Sequence, residues 1–219
     1  LNERTRGLAN APVQLPVIPL GVDCAGLRAE GKAEGWRQEW RTRHDIGKDD
    51  IVVLFMGRLS YHAKAHPLPM YLGLENAARE SKSNIHLIQA GWFANDSIEK
   101  AFSESARTIC PSVNAIFLDG RDAHVRESIW YAADIFTSLS DNIQETFGLT
   151  PLEAMATGLP VVVTDWNGYR DTIVDGETGI AVPTVSLPPG LGSDIAFRHA
   201  AGLDSYDRYL GHASLCTSV

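Results

Sequence analysis

The sequence predicts an α/β fold, a Rossmann-like parallel sheet with helices on both faces, and two observations carry that prediction. Short apolar, β-branched runs recur along most of the chain, and several are apolar on both faces, as strands buried in a parallel sheet are. Between successive runs lie stretches of helical length, and this alternation builds crossovers that place ligand sites at the carboxyl ends of the strands.

The strands read as 51–56 (IVVLFM), 85–89 (IHLIQ), 115–118 (AIFL), 134–137 (DIFT), 160–164 (PVVVT) and 179–182 (GIAV). Helices are expected over 66–81, 95–107, 122–133, 151–157 and 169–174. A charged helical stretch over 28–46 carries Trp36 and Trp40 four apart, the spacing of one packing face. Both ends fall outside this alternation. Residues 1–22 read as an interdomain linker and the end of a preceding domain, 23–183 as the Rossmann-like unit, and 184–219 as a Pro/Gly loop and a truncated helical segment. The chain opens on Leu1, not methionine, and is read as part of a longer protein.

Composition narrows the class. Of 219 residues, 44% are hydrophobic and 21% charged, as in ordinary globular proteins. A formal charge of −8 opposes broad electrostatic binding to nucleic acid or to an anionic membrane. The longest fully apolar run is the six-residue stretch 51–56, far short of the roughly 20 residues that span a bilayer. Three scattered cysteines, Cys24, Cys110 and Cys216, match neither a disulfide framework nor a zinc spacing, which points to a reducing, cytoplasmic setting.

Some motifs fail on inspection. Gly26 to Lys32 copies the first seven places of a P-loop, but Ala33 offers magnesium no hydroxyl and no apolar strand precedes it. His62 and His66 would share a helical face, but Pro67 and Pro69 interrupt it and no third ligand is near in sequence. No G-x-G-x-x-G follows a strand, and no G-x-S-x-G elbow is present.

The informative stretch is DNIQETFGLTPLEAMATGLPVVVTD, residues 141–165. Pro151 opens helices but does not sit inside them, so Glu145 is expected on a loop and Glu153 on the first turn of a helix. Thr150, Pro151 and Glu153 have capping-box form, with Thr150 as the cap, and Gly158 suits the helix end. Gly148 would allow close approach of a ligand to the backbone, and free N–H groups at the helix start suit a phosphate. The first strand is followed by Gly57, Arg58, Leu59 and Ser60, with Lys64 beyond, so two cations are available at the same sheet edge; alternatively they are solvated loop charges.

These residues resemble a known family. MGRLSYHAK followed by QETFGLTPLEAMATGLPVVVTDWNGYRDTIVDGETGIAV is similar to the C-terminal, donor-binding domain of the GT-B retaining glycosyltransferases of family 4, also called glycosyl transferases group 1. That family carries two glutamates separated by seven residues, matched by Glu145 and Glu153, and VIPLGVD resembles its interdomain linker. The chain departs from the pattern at Asn167, where the family often has glycine, at Asp171, often glutamate, and at Ala65, usually glycine.

The resemblance implies a nucleoside diphosphate sugar as donor substrate, without metal or other cofactor. Arg58 and Lys64 would neutralise the diphosphate leaving group, Glu145 would contact the sugar, and Glu153 the ribose hydroxyls. Backbone groups of Gly57, Phe147, Gly148, Leu149 and Thr150 would line the donor, with the Asp119, Gly120 and Arg121 turn near the base. The acceptor wall would belong to a missing N-terminal domain, leaving this chain alone inactive. A sugar-nucleotide epimerase of the same fold and a non-catalytic nucleotide-sugar-binding module remain as alternatives.

Overall fold

The computed structural model describes residues 18, 20–28, 32–143, 145–188 and 190–219. Most of the predicted linker, and Gln144, lie outside them.

Six strands, β1 (Ile51–Met56), β2 (Ile85–Gly91), β3 (Val113–Asp119), β4 (Ile135–Ser138), β5 (Val161–Thr164) and β6 (Gly179–Val182), form one sheet in the order β3-β2-β1-β4-β5-β6. Every neighbouring pair in it runs parallel. The chain therefore starts in the middle, builds outward through β2 and β3, then returns to the other side of β1. Ligand crevices open where the order reverses, between β1 and β4. The loops that follow β1 and β4 flank that crevice.

Helices cover the two faces because the strands are apolar on both. One face, with Val53, Phe55, Ile85 and Leu87, packs against α3 (Leu68–Ser81) and α4 (Asp96–Ile109), which contribute Met70, Tyr71, Ala78, Phe102 and Ala106. The other face, with Val52, Leu54, Ile88, Phe136, Val161 and Val163, receives Trp40 from α2 (Ala33–Arg43), Val125 from α5 (Ala123–Ser128), and Ile129 and Trp130 from the 3-10 turn Ile129–Ala132. Ala154 of α6 (Leu149–Ala156) completes that layer with Tyr169. Trp40 also donates its indole N–H to Ser128 Oγ at 2.8 Å, while the Trp36 ring lies 5.4 Å from that of Tyr131, so both tryptophans pack as their spacing predicts.

Strands 51–56 and 179–182 coincide with the prediction; the others differ at one or both ends by a residue or two. The helix expected over 122–133 is α5 followed by a 3-10 turn, and that expected over 169–174 is the shorter 3-10 turn Asn167–Asp171. Of the charged stretch over 28–46, residues 29–31 lie outside the described ones; among the rest the helix is α2, and the short α1 (Cys24–Leu27) lies before it in the chain. Past Pro183, the expected loop holds β7 (Val185–Ser186), which pairs antiparallel with β8 (Thr217–Ser218); between them lie α7 (Ser193–Ala200) and α8 (Tyr206–Ser214). Asp204, its carboxylate wholly buried, joins these two helices through Arg198 at 2.7 Å and Arg208 at 3.3 Å.

Among the described residues, no helix is long and apolar enough to cross a membrane, and no group of three His, Cys, Asp or Glu side chains is placed to hold a metal ion.

Candidate donor site at the sheet edge

The crevice takes its shape from glycines as much as from side chains. Gly57 directly follows β1, and a Cβ there would meet the Lys64 side chain at 3.3 Å. Gly91 lies at the end of β2, where a Cβ would stand 3.0 Å from Leu59 Cγ. Gly148 adopts φ 82°, ψ 73°, a left-handed conformation that turns the chain into α6. A Cβ on Gly148 would fall 2.5 Å from Cδ1 of Tyr169 and closer still to Cε1.

That glycine overturns the predicted capping box. Gly148 is the cap of α6, Leu149 its first residue, and Thr150 and Pro151 the second and third. Glu153 accordingly sits in the second turn, not the first, and no side chain caps the helix. Thr150 Oγ1 is buried without a hydrogen-bond partner. The reason is local geometry: the left-handed glycine starts the helix two residues earlier than the T-P-L-E pattern does. Gly158, with φ 89°, follows the helix as expected.

Lys64 and Glu145, 81 residues apart in sequence, meet across the crevice in an ion pair whose side chains are 20% and 10% exposed. The Tyr169 hydroxyl is beside them. It shares a 2.9 Å hydrogen bond with Ser138 Oγ, and burial first, then the Glu145 carboxylate, push its pKa strongly upward. Arg58 stands apart from the pair; its guanidinium donates to the carbonyl of Ala63 at 3.2 Å.

Glu153 is half-buried, and desolvation raises its pKa above the usual carboxylate range. It opens on a cleft of about 590 Å³ whose walls include Asp23, Lys32, Trp36, Arg126 and Leu149. Leu149 belongs to the start of α6, so this cleft runs on from the helix N-terminus. The turn of Asp119, Gly120 and Arg121 lies at the end of β3, two strands from β1, or about 10 Å along the sheet edge. Arg121 there grips Asp119 through two nitrogens at 2.8 and 2.9 Å and draws its carboxyl down to about 2. The sheet thus gathers Gly57, Lys64, Glu145 and the segment Phe147 to Thr150 at one crevice, with Glu153 beside it and the Asp119 turn to one side.

Sequence reasoning assigned no part to Tyr169, or to the buried side chains of Ser138, Ser140, Asp141 and Asn142. The polar run from the last residue of β4 onward was the available signal for the last four. Tyr169 had none beyond its place in the motif.

The sheet order defines a doubly wound α/β domain with a crevice at its switch point, and comparison with known proteins gives its family. The family model described as "Glycosyl transferases group 1" matches residues 37–187, and the chain belongs to that family. A D-inositol 3-phosphate glycosyltransferase of Corynebacterium efficiens is 30% identical over 177 residues, 78% of this chain and 39% of that protein. The lipopolysaccharide core biosynthesis mannosyltransferase LpsB of Rhizobium meliloti is 40% identical over a shorter 77 residues, 34% of this chain and 21% of that one. Among solved structures, HepE of Anabaena in complex with UDP and glucose aligns with TM-score 0.59 and 20% identity, over 91% of this chain and 50% of that chain. The C-terminal domain of the group 1 glycosyl transferase LpcC from Francisella tularensis aligns with TM-score 0.58 and 22% identity, over 89% and 94%. The fold is therefore that of a GT-B C-terminal domain. The chain spans about two fifths of the length of the first curated relative it matches.

Proposed function

We propose that this chain is the donor-binding domain of a retaining, metal-independent, cytoplasmic glycosyltransferase that takes a hexosyl or related group from a nucleoside diphosphate sugar. The observation that carries the proposal is the pairing of Lys64 with Glu145 at the switch point, directly beside the open N-terminus of α6.

A diphosphate at that N-terminus would meet unpaired N–H groups and the positive end of the helix dipole. Thr150 Oγ1, buried and without a partner, adds one more donor there. Lys64 would pass from Glu145 to the phosphate, and Arg58 would bring its guanidinium to the same charge. When the bond between the anomeric carbon and the diphosphate breaks, its electron pair goes to the phosphate oxygen, and these groups stabilise that charge. Glu145, freed from Lys64, would accept hydrogen bonds from the sugar. Glu153 would accept them from the ribose, with the nucleoside in the cleft beside α6 and the base extending toward the Asp119, Gly120 and Arg121 turn. Backbone atoms of Gly57, Phe147, Gly148, Leu149 and Thr150 would line the path, and the acceptor would be held by a further domain.

Calorimetry with UDP, GDP and ADP, their sugars and the free nucleosides tests the reading. A diphosphate is expected to bind at least tenfold more tightly than its nucleoside, with the advantage lost in Lys64→Ala. No preference for the diphosphate would overturn the assignment. A radiolabelled-donor assay is expected to show no transfer by the 219-residue chain by itself and transfer when the acceptor domain is present.

A further inference from the structure

Residues 138–142 make none of the proposed donor contacts, yet four of their five side chains are polar and buried: Ser138, Ser140, Asp141 and Asn142. Burying such groups is costly unless each finds a partner, so the partners show what the segment is built to hold. Ser140 Oγ donates to the Lys64 carbonyl at 3.1 Å. The His66 N–H donates to Asp141 Oδ1 at 3.3 Å. Asn142 Nδ2 donates to the His62 carbonyl. Three consecutive side chains from the loop after β4 thus pin residues 62, 64 and 66 of the loop after β1.

The pinning segment is itself fixed from behind. Thr164 Oγ1 donates to the Ser140 carbonyl at 2.7 Å, and Trp166 Nε1 to the Asn142 carbonyl at 3.0 Å. The Glu145 N–H donates to that same Asn142 carbonyl at 3.1 Å, so one short stretch sets the positions of both members of the Lys64–Glu145 pair.

We propose that Asp141, flanked by Ser140 and Asn142, is a positioning residue that clamps the Lys64 loop and so holds the Lys64 ammonium against Glu145. Its effect on donor affinity rests on the function proposed above; the clamp itself does not. Burial pushes the Asp141 carboxyl up to about 6, so at neutral pH it accepts the His66 N–H as an anion, the stronger form of that hydrogen bond.

Two measurements on the full 219-residue chain test this. Trace acetylation with acetic anhydride, read lysine by lysine by mass spectrometry, reports how firmly Lys64 is held without any donor present. Asp141→Ala is expected to speed Lys64 acetylation about fivefold, the factor given by loss of one hydrogen bond of ordinary net strength. The exposed Lys48 and Lys100 should keep their rates, and Asp141→Asn, which retains an oxygen acceptor, should stay within about twofold of the parent. Ser140→Ala gives the same readout should Asp141→Ala fold poorly. Unchanged Lys64 rates in both alanine variants would overturn the clamp. In the second measurement, Asp141→Ala should weaken UDP or GDP binding about fivefold in the parent but add nothing in a Lys64→Ala background. Additive losses would show that Asp141 does not act through Lys64. Faster acetylation in a chain whose parent binds no nucleoside diphosphate would leave the clamp standing and sink the donor reading.

Discussion

Gly148→Ala measures how tightly the entry to α6 is built. Two separable costs are expected. Gly148 sits at φ 82°, and an L side chain in the left-handed region costs about 1–2 kcal/mol. The new methyl would also stand 2.5 Å from Tyr169 Cδ1. That ring is 1% exposed and its hydroxyl is hydrogen-bonded to Ser138, so retreat strains the core and threatens the bond. Overpacking of this kind costs about 1–3 kcal/mol. The two together come to roughly 2–5 kcal/mol, and for a domain of this size 1 kcal/mol lowers Tm by about 2–4 °C. Gly148→Ala should therefore melt on the order of 10 °C below the parent.

Gly158→Ala provides the internal control. Gly158 has φ 89° at the other end of the same helix, but a Cβ there would meet nothing within 4 Å. It should suffer the backbone cost alone, about 1–2 kcal/mol. Thermal melts of the two variants, followed by circular dichroism under identical conditions, isolate the ring clash as their difference. Equal losses of Tm would mean that Tyr169 yields freely and does not define the wall of the crevice.

Three further outcomes are expected. Arg58→Ala and Lys64→Ala should each weaken binding of a nucleoside diphosphate about tenfold or more while leaving the free nucleoside nearly unaffected, because each removes a charge-assisted contact; equal calorimetric losses for both ligands would remove the phosphate role. Glu153→Gln should narrow the preference for ribo- over deoxyribonucleotides, since an amide offers one oxygen acceptor where the carboxylate offers two; intact discrimination would leave Glu153 without a part in ribose binding. Asp141→Asn should show a pH-dependent gain in stability. The native Asp141 pKa of about 6 lies about two units above that of an ordinary aspartate, so the native state holds the proton more tightly. The stability this group contributes is present below about pH 4 and lost as the pH rises through 6, a change of about 3 kcal/mol. Urea unfolding should find Asp141→Asn more stable than the parent at pH 8 and no different near pH 4; an equal difference at both would refute the assignment.

The parts of the fold that sequence made legible are those governed by local pattern. The run 51–56 is apolar at every position, and β1 occupies those six residues because both faces of the central strand are covered. The parts that were misread depend on competition or on distant pairing. T-P-L-E at 150–153 satisfies a capping pattern, but a left-handed glycine two residues earlier takes the cap, and no periodicity records that choice. β7 and β8 have two residues each and pair across more than 30 positions, too short and too remote to leave a pattern.

The site divides in the same way. Lys64, Glu145 and Glu153 were legible as candidates because their residue types and spacing resemble a family. Their arrangement was not, because alternation of strand and helix does not reveal that β4 returns to the far side of β1. That strand order brings Lys64 to Glu145, and the pair carries an energetic consequence. Two opposite charges so little exposed are stable together and costly apart, since neither retains full hydration. In the proposed function a diphosphate would release Glu145 by replacing it as the anion beside Lys64, and the vacated carboxylate would then need the sugar hydroxyls as its donors. Phosphate recognition and sugar recognition would thereby become one event: a ligand supplying only one of the two leaves a desolvated charge unmatched. Nucleoside diphosphate and free sugar offered separately should each bind more weakly than their sum in the intact donor requires, and calorimetry showing simple additivity would dissolve the link.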